Sequence, residues 1–177
     1  DINRAVSITE TLKRILISED GDLQRFDSVA DDMMDDYVQS IQLAPGGVVT
    51  SIYPLEGNEA GLIDLVNDEK RGSIVNYGIN NNAIVMQGPF ELKQGGYGIA
   101  VRNPIYLKDE NGQEYFWGFT IVILRVPDIF SDAISALLNF GYEYKILKTA
   151  TPWSDDYKVV YQSDDQINHQ VSYTFTI

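Results

Sequence analysis

The chain has 177 residues, 44% hydrophobic and 11% aromatic, enough to bury a core as one large domain or two small subdomains. Its formal net charge of −13 argues against a nucleic-acid backbone or an anionic lipid surface as main partner, so any anionic ligand must meet a local positive group. No cysteine and a single histidine, His169 in a polar "QINHQ" turn, leave no thiolate chemistry and too few groups for a His-based triad or a zinc site.

In chain order, Ile2, Val6, Ile8, Leu12, Ile15 and Leu16 recur at helical spacing until "SEDGD" breaks the pattern, which predicts one amphipathic helix. A second helix is expected through "LQRFDSVADDMMDDYVQSI", with Leu23, Phe26, Val29, Ala30, Met33, Met34, Tyr37, Val38 and Ile41 on a broad face and "APGG" as its end. Its "DDMMDDY" places Asp31 with Asp35 and Asp32 with Asp36 four apart, mildly destabilising unless a cation or basic partner offsets it, and it lacks the Gly turn of a calcium loop.

The β-branched run Val48 to Tyr53 predicts a short strand ending at Pro54. In "NDEKRGSIVNYGINNN", Asn67 or Asp68 is the expected N-cap of a helix of about three turns, with Gly78 and Asn80 to Asn82 as its stop. Strands follow at "AIVMQ", "GGYGIAVRNPIYL" and "EYFWGFTIVILRV", the last two joined by a turn centred on Asn111-Gly112. Pro127 opens the helical stripe "PDIFSDAISALLNFG" with Gly141 as C′ residue, and "YEYKILK", "YKVVYQ" and "QVSYTFTI" close the chain as short strands. Helices leading into a largely antiparallel sheet indicate an α+β architecture.

Alternation puts Gly98, Ala100, Arg102, Pro104 and Tyr106 on one face of their strand, and groups Phe116, Gly118, Thr120 and Val122 on one face of the next. Small residues on neighbouring strands fit either a closely packed helix or a ligand pocket with Arg102 as its fixed charge. Arginine's planar fork matches carboxylate or phosphate, whereas an internal pairing, with Asp64 for example, would satisfy the same need for an anion. "GGYG" enters a strand, not a helix, so it is no phosphate loop. No nucleophile and base pair suggests an enzyme.

The blocks "GPFELKQGGYGIAVRNPIYL…FWGF", preceded by "VVTSIYPLEGN" and "LIDLVNDEKR", resemble in order and spacing the CHASE domain, the extracytoplasmic sensor module of bacterial and plant transmembrane receptors. The resemblance covers roughly Phe26 to Thr149. It implies a long N-terminal stalk helix, PAS-like α/β subdomains and ligand binding outside the membrane. It also implies membrane spans and a cytoplasmic histidine kinase or diguanylate cyclase in the full-length protein. Asp64 matches the acidic residue that hydrogen-bonds adenine in the plant cytokinin receptors. Those receptors carry Thr where this chain has Arg102, a departure that points away from cytokinin and toward a carboxylate-bearing ligand.

The resulting expectation is a non-enzymatic sensor without cofactor or metal. Residues 1–42 would form stalk and packing helices, 43–140 the ligand-binding part, and 141–177 a smaller membrane-proximal β part. The expected ligand site comprises Asp64, Met86, Gly88, Pro89, Phe90, Tyr97, Ala100, Arg102, Phe116, Gly118 and Thr120, with homodimerisation through the N-terminal helix. The alternative is a structural or protein-interaction module whose sheet face is filled.

Overall fold

The N-terminal stripe folds as helix α1, Ile2–Ser18, in the computed structural model, which describes residues 2–56, 63–92, 95–149, 151 and 153–164. Its inward face is Ala5, Ile8, Thr9, Leu12 and Leu16, and it stops where Asp20 and Gly21 turn left-handed and the Gly21 amide donates to the Leu16 carbonyl. The chain divides into two compact units, Asp1–Ile129 and Phe130–Ile177. This division falls ahead of helix α4, Ser131–Asn139.

The second helix is far shorter than its apolar pattern predicts. Helix α2 covers only Phe26–Asp31, and strand β1 begins at Val38. The acidic run explains the difference. Asp35 accepts the amides of Tyr37 and Val38 at 2.9 and 3.1 Å, an alternative to helical bonding, and carboxylates are unfavourable at a helix C-terminus. Asp35 also meets Arg4 of α1 at 3.3 Å, and Asp31 accepts the Tyr53 hydroxyl.

In the first unit, β1 (Val38–Pro45), β3 (Ser51–Tyr53), β5 (Val85–Glu91), β6 (Tyr97–Lys108) and β7 (Glu114–Val126) form one sheet, ordered β3-β1-β7-β6-β5. Every pairing in it is antiparallel. The expected strand over Val48 to Tyr53 is split: β2, Val48–Val49, pairs instead with β4, Ile63–Asp64. Between β6 and β7, Gly112 has φ +78° and Asp109 accepts the amides of Asn111 and Gln113, as the Asn-Gly turn requires.

One face of the sheet meets α1 and α2 through Leu43, Val101, Ile105, Leu107, Val122 and Leu124. The other carries Ala100, Phe119, Ile121 and Ile123 beneath Leu65, Val66, Val75 and Ile79. Helix α3, Gly72–Asn81, supplies Val75 and Ile79 and ends at left-handed Asn82, with the Ala83 amide donating to the Gly78 carbonyl. Asp68 does not cap the helix directly. It organises the turn before it, accepting the amides of Lys70 and Arg71 at 2.9 and 2.8 Å and pairing with the Arg71 guanidinium at 2.6 Å.

Strict alternation fails at one place in β7. Ile105 pairs with Gly118 but Tyr106 pairs with Phe116, so Trp117 is an extra residue. Beyond this bulge the faces exchange: Phe116 joins Phe119 and Ile121, while Gly118, Thr120 and Val122 face α1. Gly118 is required there, since its φ is +155° and a Cβ would lie 2.2 Å from the Ala44 carbonyl of β1.

In the second unit, helix α4, Ser131–Asn139, ends at Gly141 with φ +74°, and the Tyr142 amide donates to the Leu137 carbonyl at 3.0 Å. Strands β8, Lys145–Lys148, and β9, Lys158–Gln162, pair antiparallel. The third expected strand, "QVSYTFTI", and His169 lie outside the described residues.

Two outcomes are expected. Gly118→Ala lowers stability by about 1–3 kcal/mol in a urea titration, because the added methyl overpacks the β1–β7 contact; an unchanged midpoint would show that β1 yields freely. Burial raises the pKa of Asp68, but the Lys70 and Arg71 amides and the Arg71 charge outweigh it and leave the carboxyl below its ordinary value. A carboxyl depressed on folding contributes stability above its unfolded pKa of about 3.9 that is lost as pH falls through the folded value. Asp68→Asn should therefore flatten the acid limb of the thermal midpoint against pH, and an unaltered limb would exclude this role.

Candidate functional site

Position 102 lies in the middle of β6, which is paired on both sides, by β5 and β7. Alternation turns Arg102 toward the α3 side of the sheet, where it is only 2% exposed. Val85 of β5 stands directly opposite, and Gln87, opposite Ala100, is its diagonal neighbour. Arg102 Nη1 donates to Gln87 Oε1 at 3.0 Å, and Gln87 Nε2 donates to the Lys70 carbonyl at 3.1 Å.

Among the described residues, that neutral amide is the acceptor the guanidinium meets. Its Nε is buried without a hydrogen-bond partner, and no carboxylate among the described residues forms an ion pair with it. Burial, followed by the nearby charge of Arg71, pushes its pKa down to about 10, with Asp68 acting in the opposite direction. The group is thus still a cation at neutral pH. Its unpartnered Nε–H lies on the side-on edge by which an arginine receives the oxygens of a carboxylate or phosphate.

Asp64 does not supply the missing anion. It is exposed on β4, and its oxygens accept the Val66 and Asn67 amides at 3.1 Å each and the Asn67 side chain at 2.7 Å. These bonds, the Asn67 side chain first, hold the carboxyl below its ordinary pKa. Asp64 thus folds its own loop.

Of the other residues expected to line a site, Ala100, Phe90 and Phe116 share the face of Arg102. Phe116 stacks edge-on against Tyr106 and Phe119, with centroids 5.9 and 5.1 Å apart. Gly88 and Pro89 form the irregularity in β5 between Gln87 and Phe90. Met86, paired with Val101, and Tyr97, paired with Val126, point to the α1 side and are 38% and 56% exposed. Gly118 and Thr120 also lie on that side, through the bulge at Trp117. The space over Gly98 is not open: a Cβ there would lie 2.8 Å from Leu92 Cδ2.

Behind Arg102, on the opposite face, sits a second buried polar group. Asn103 Nδ2 donates to Glu10 Oε1 of α1 at 2.7 Å, and Lys13 Nζ donates to Asn103 Oδ1 at 3.3 Å. Its cross-strand partner Thr120 donates its hydroxyl to the Thr9 carbonyl at 3.1 Å. Sequence reading missed Gln87, although Val85 and Gln87 share a strand face by alternation. It also missed the Asp68–Arg71 turn, visible only as an i,i+3 charge pair.

A profile of the CHASE domain matches residues 22–153. The fold is similar to that of a solved extracellular ligand binding receptor from Desulfohalobium retbaense DSM5692, at 15% identity and a TM-score of 0.61, over 82% of this chain and 26% of that one. The chain thus spans about a quarter of that receptor's length, and the likeness is one of fold. No curated protein matches it. With the family profile spanning most of its length, the chain belongs to the CHASE domain family of extracytoplasmic sensor modules.

Proposed function

We propose that this chain is the ligand-sensing domain of a transmembrane receptor, and that Arg102 anchors a small carboxylate-bearing ligand on the α3 side of the sheet. One observation carries the reading: a guanidinium 2% exposed, with an unpartnered Nε and only a neutral amide as acceptor. Buried charges ordinarily come with a counter-charge. Burial holds the guanidinium pKa down to about 10, a penalty on the charged form in the ligand-free protein. A ligand carboxylate across the Nε/Nη2 edge removes that penalty and adds a charge-assisted pair of about 1.5–3 kcal/mol. Phe90 and Phe116 share the face and suit an apolar remainder of the ligand.

Occupancy reaches α1 through the sheet. Arg102 and Asn103 are successive residues, so a shift of β6 at one moves the other, and Asn103 and Thr120 hold α1 by four polar contacts. A ligand acts only through its different affinity for two arrangements of this joint. The apolar stripe of α1 is spent on the sheet, so homodimerisation through this helix would use its outer residues Arg4, Ser7, Thr11 and Arg14. In the full-length protein the domain would stand outside the membrane, with spans flanking it and a kinase or cyclase as cytoplasmic output.

The filled-face alternative has one observation in its favour, the Leu92 side chain over Gly98. Thermal unfolding with acetate, pyruvate, succinate and benzoate, each against its amide, separates the two. At 100 times the dissociation constant a binding carboxylate adds about 2.7 kcal/mol, and its amide little. Arg102→Met should abolish that shift and raise the stability of the empty protein by about 1 kcal/mol or more. Flat midpoints throughout would favour the structural module. Asn103→Leu should leave carboxylate binding within a few-fold of wild type while erasing the ligand-dependent change in α1 amide exchange; persistence of that change would rule out the Asn103 joint.

A further inference from the structure

We propose that Gln87 determines the specificity of the Arg102 site: its neutral amide holds the guanidinium in place without neutralising it, so that the fork stays available to an external two-oxygen anion. The proposal rests on the reading of Arg102 as a ligand anchor and assigns the residue that keeps it vacant.

The amide has one orientation that satisfies both its ends. Arg102 can only donate and the Lys70 carbonyl can only accept, so Oε1 must face the guanidinium and Nε2 the carbonyl. Locked in this way, Gln87 takes a single N–H, at Nη1, and leaves the Nε edge unpartnered. Its other anchor is the turn where Asp68 already engages Arg71, so the carboxylate whose charge acts on Arg102 stays occupied with a different cation.

A glutamate at 87 has nearly the same shape and the opposite consequence. It cannot donate to the Lys70 carbonyl, and both its oxygens would turn to Arg102 and form an internal ion pair on a half-buried, diagonal cross-strand contact. The site would then carry its own carboxylate.

The test compares wild type, Gln87→Glu, Gln87→Met and Arg102→Met, using acetate, pyruvate and benzoate as probes in calorimetry and thermal unfolding. Gln87→Glu is expected to weaken the best probe at least tenfold and to raise the thermal midpoint of the empty protein. That added stability should be present above the ordinary glutamate pKa and vanish as pH falls through the depressed value of the paired carboxyl. Gln87→Met, which leaves the charge unmet, should keep the preference for carboxylate over amide with a loss of only a few-fold. If Gln87→Glu binds as wild type does while Arg102→Met does not, the role of Gln87 is refuted and the anchor stands. If Gln87→Glu gains no pH-dependent stability, the predicted ion pair does not form and the proposal falls irrespective of ligand. If wild type binds none of the probes, the anchor reading fails and this inference with it.

Discussion

Strand β6 carries two buried polar side chains back to back, and the architecture around them follows from how each is satisfied. Asn103 faces α1 and finds full partners there in Glu10 and Lys13, with Thr120 alongside bonded to Thr9. Arg102 faces the other way and finds one neutral acceptor. Both faces of this sheet are covered, one by α1 and α2 and the other by the α3 side, so both side chains are withdrawn from water. In the proposed reading, the contrast between a completed polar contact and an incomplete one, one residue apart, distinguishes a fastening from a site.

Stability and sensing pull in opposite directions at such a point. An apolar side chain at 102 would pack against Val85 and Ile121, its direct cross-strand neighbours, without the desolvation that now depresses the guanidinium. If Arg102 anchors a ligand as proposed, arginine there weakens the empty domain and raises the free energy gained on meeting an anion. The overall charge of −13 sharpens the requirement, because the surface repels the same ligands at long range that the buried cation attracts at short range. Binding would then depend on the local fork more than on the field of the whole molecule.

Much of this was legible in the sequence, and the exceptions have specific physical causes. The amphipathic stripe of α1, the Asn111-Gly112 turn, the stop at Gly141 and the face of β6 that bears Arg102 all follow from local periodicity and turn chemistry. The second helix was overextended because a 3.6-residue reading of "MMDDYVQSI" cannot register that Asp35 caps a turn and that β7 offers Val38 a partner. The face assignment of Gly118 and Thr120 failed at a single inserted residue, Trp117, since a bulge shifts every later side chain to the other side. Small residues on a strand face fit either open space or close packing, and here Gly98 makes room for Leu92 and Gly118 for the backbone of β1. Gln87 needed the β5–β6 register before its relation to Arg102 could be seen.

The central claim is that the Nε–H of Arg102 is an unused donor awaiting an external oxyanion. The most direct measurement is the nitrogen-proton correlation of arginine side chains in the labelled chain, assigned with Arg102→Met and titrated with pyruvate or benzoate. A saturable downfield shift of the Arg102 Nε proton, with the signals of exposed Arg4 and Arg25 unmoved, is the result expected of a ligand anchor. A signal that stays fixed at saturating carboxylate, or one already at the position of a charge-paired guanidinium in the free protein, would contradict it.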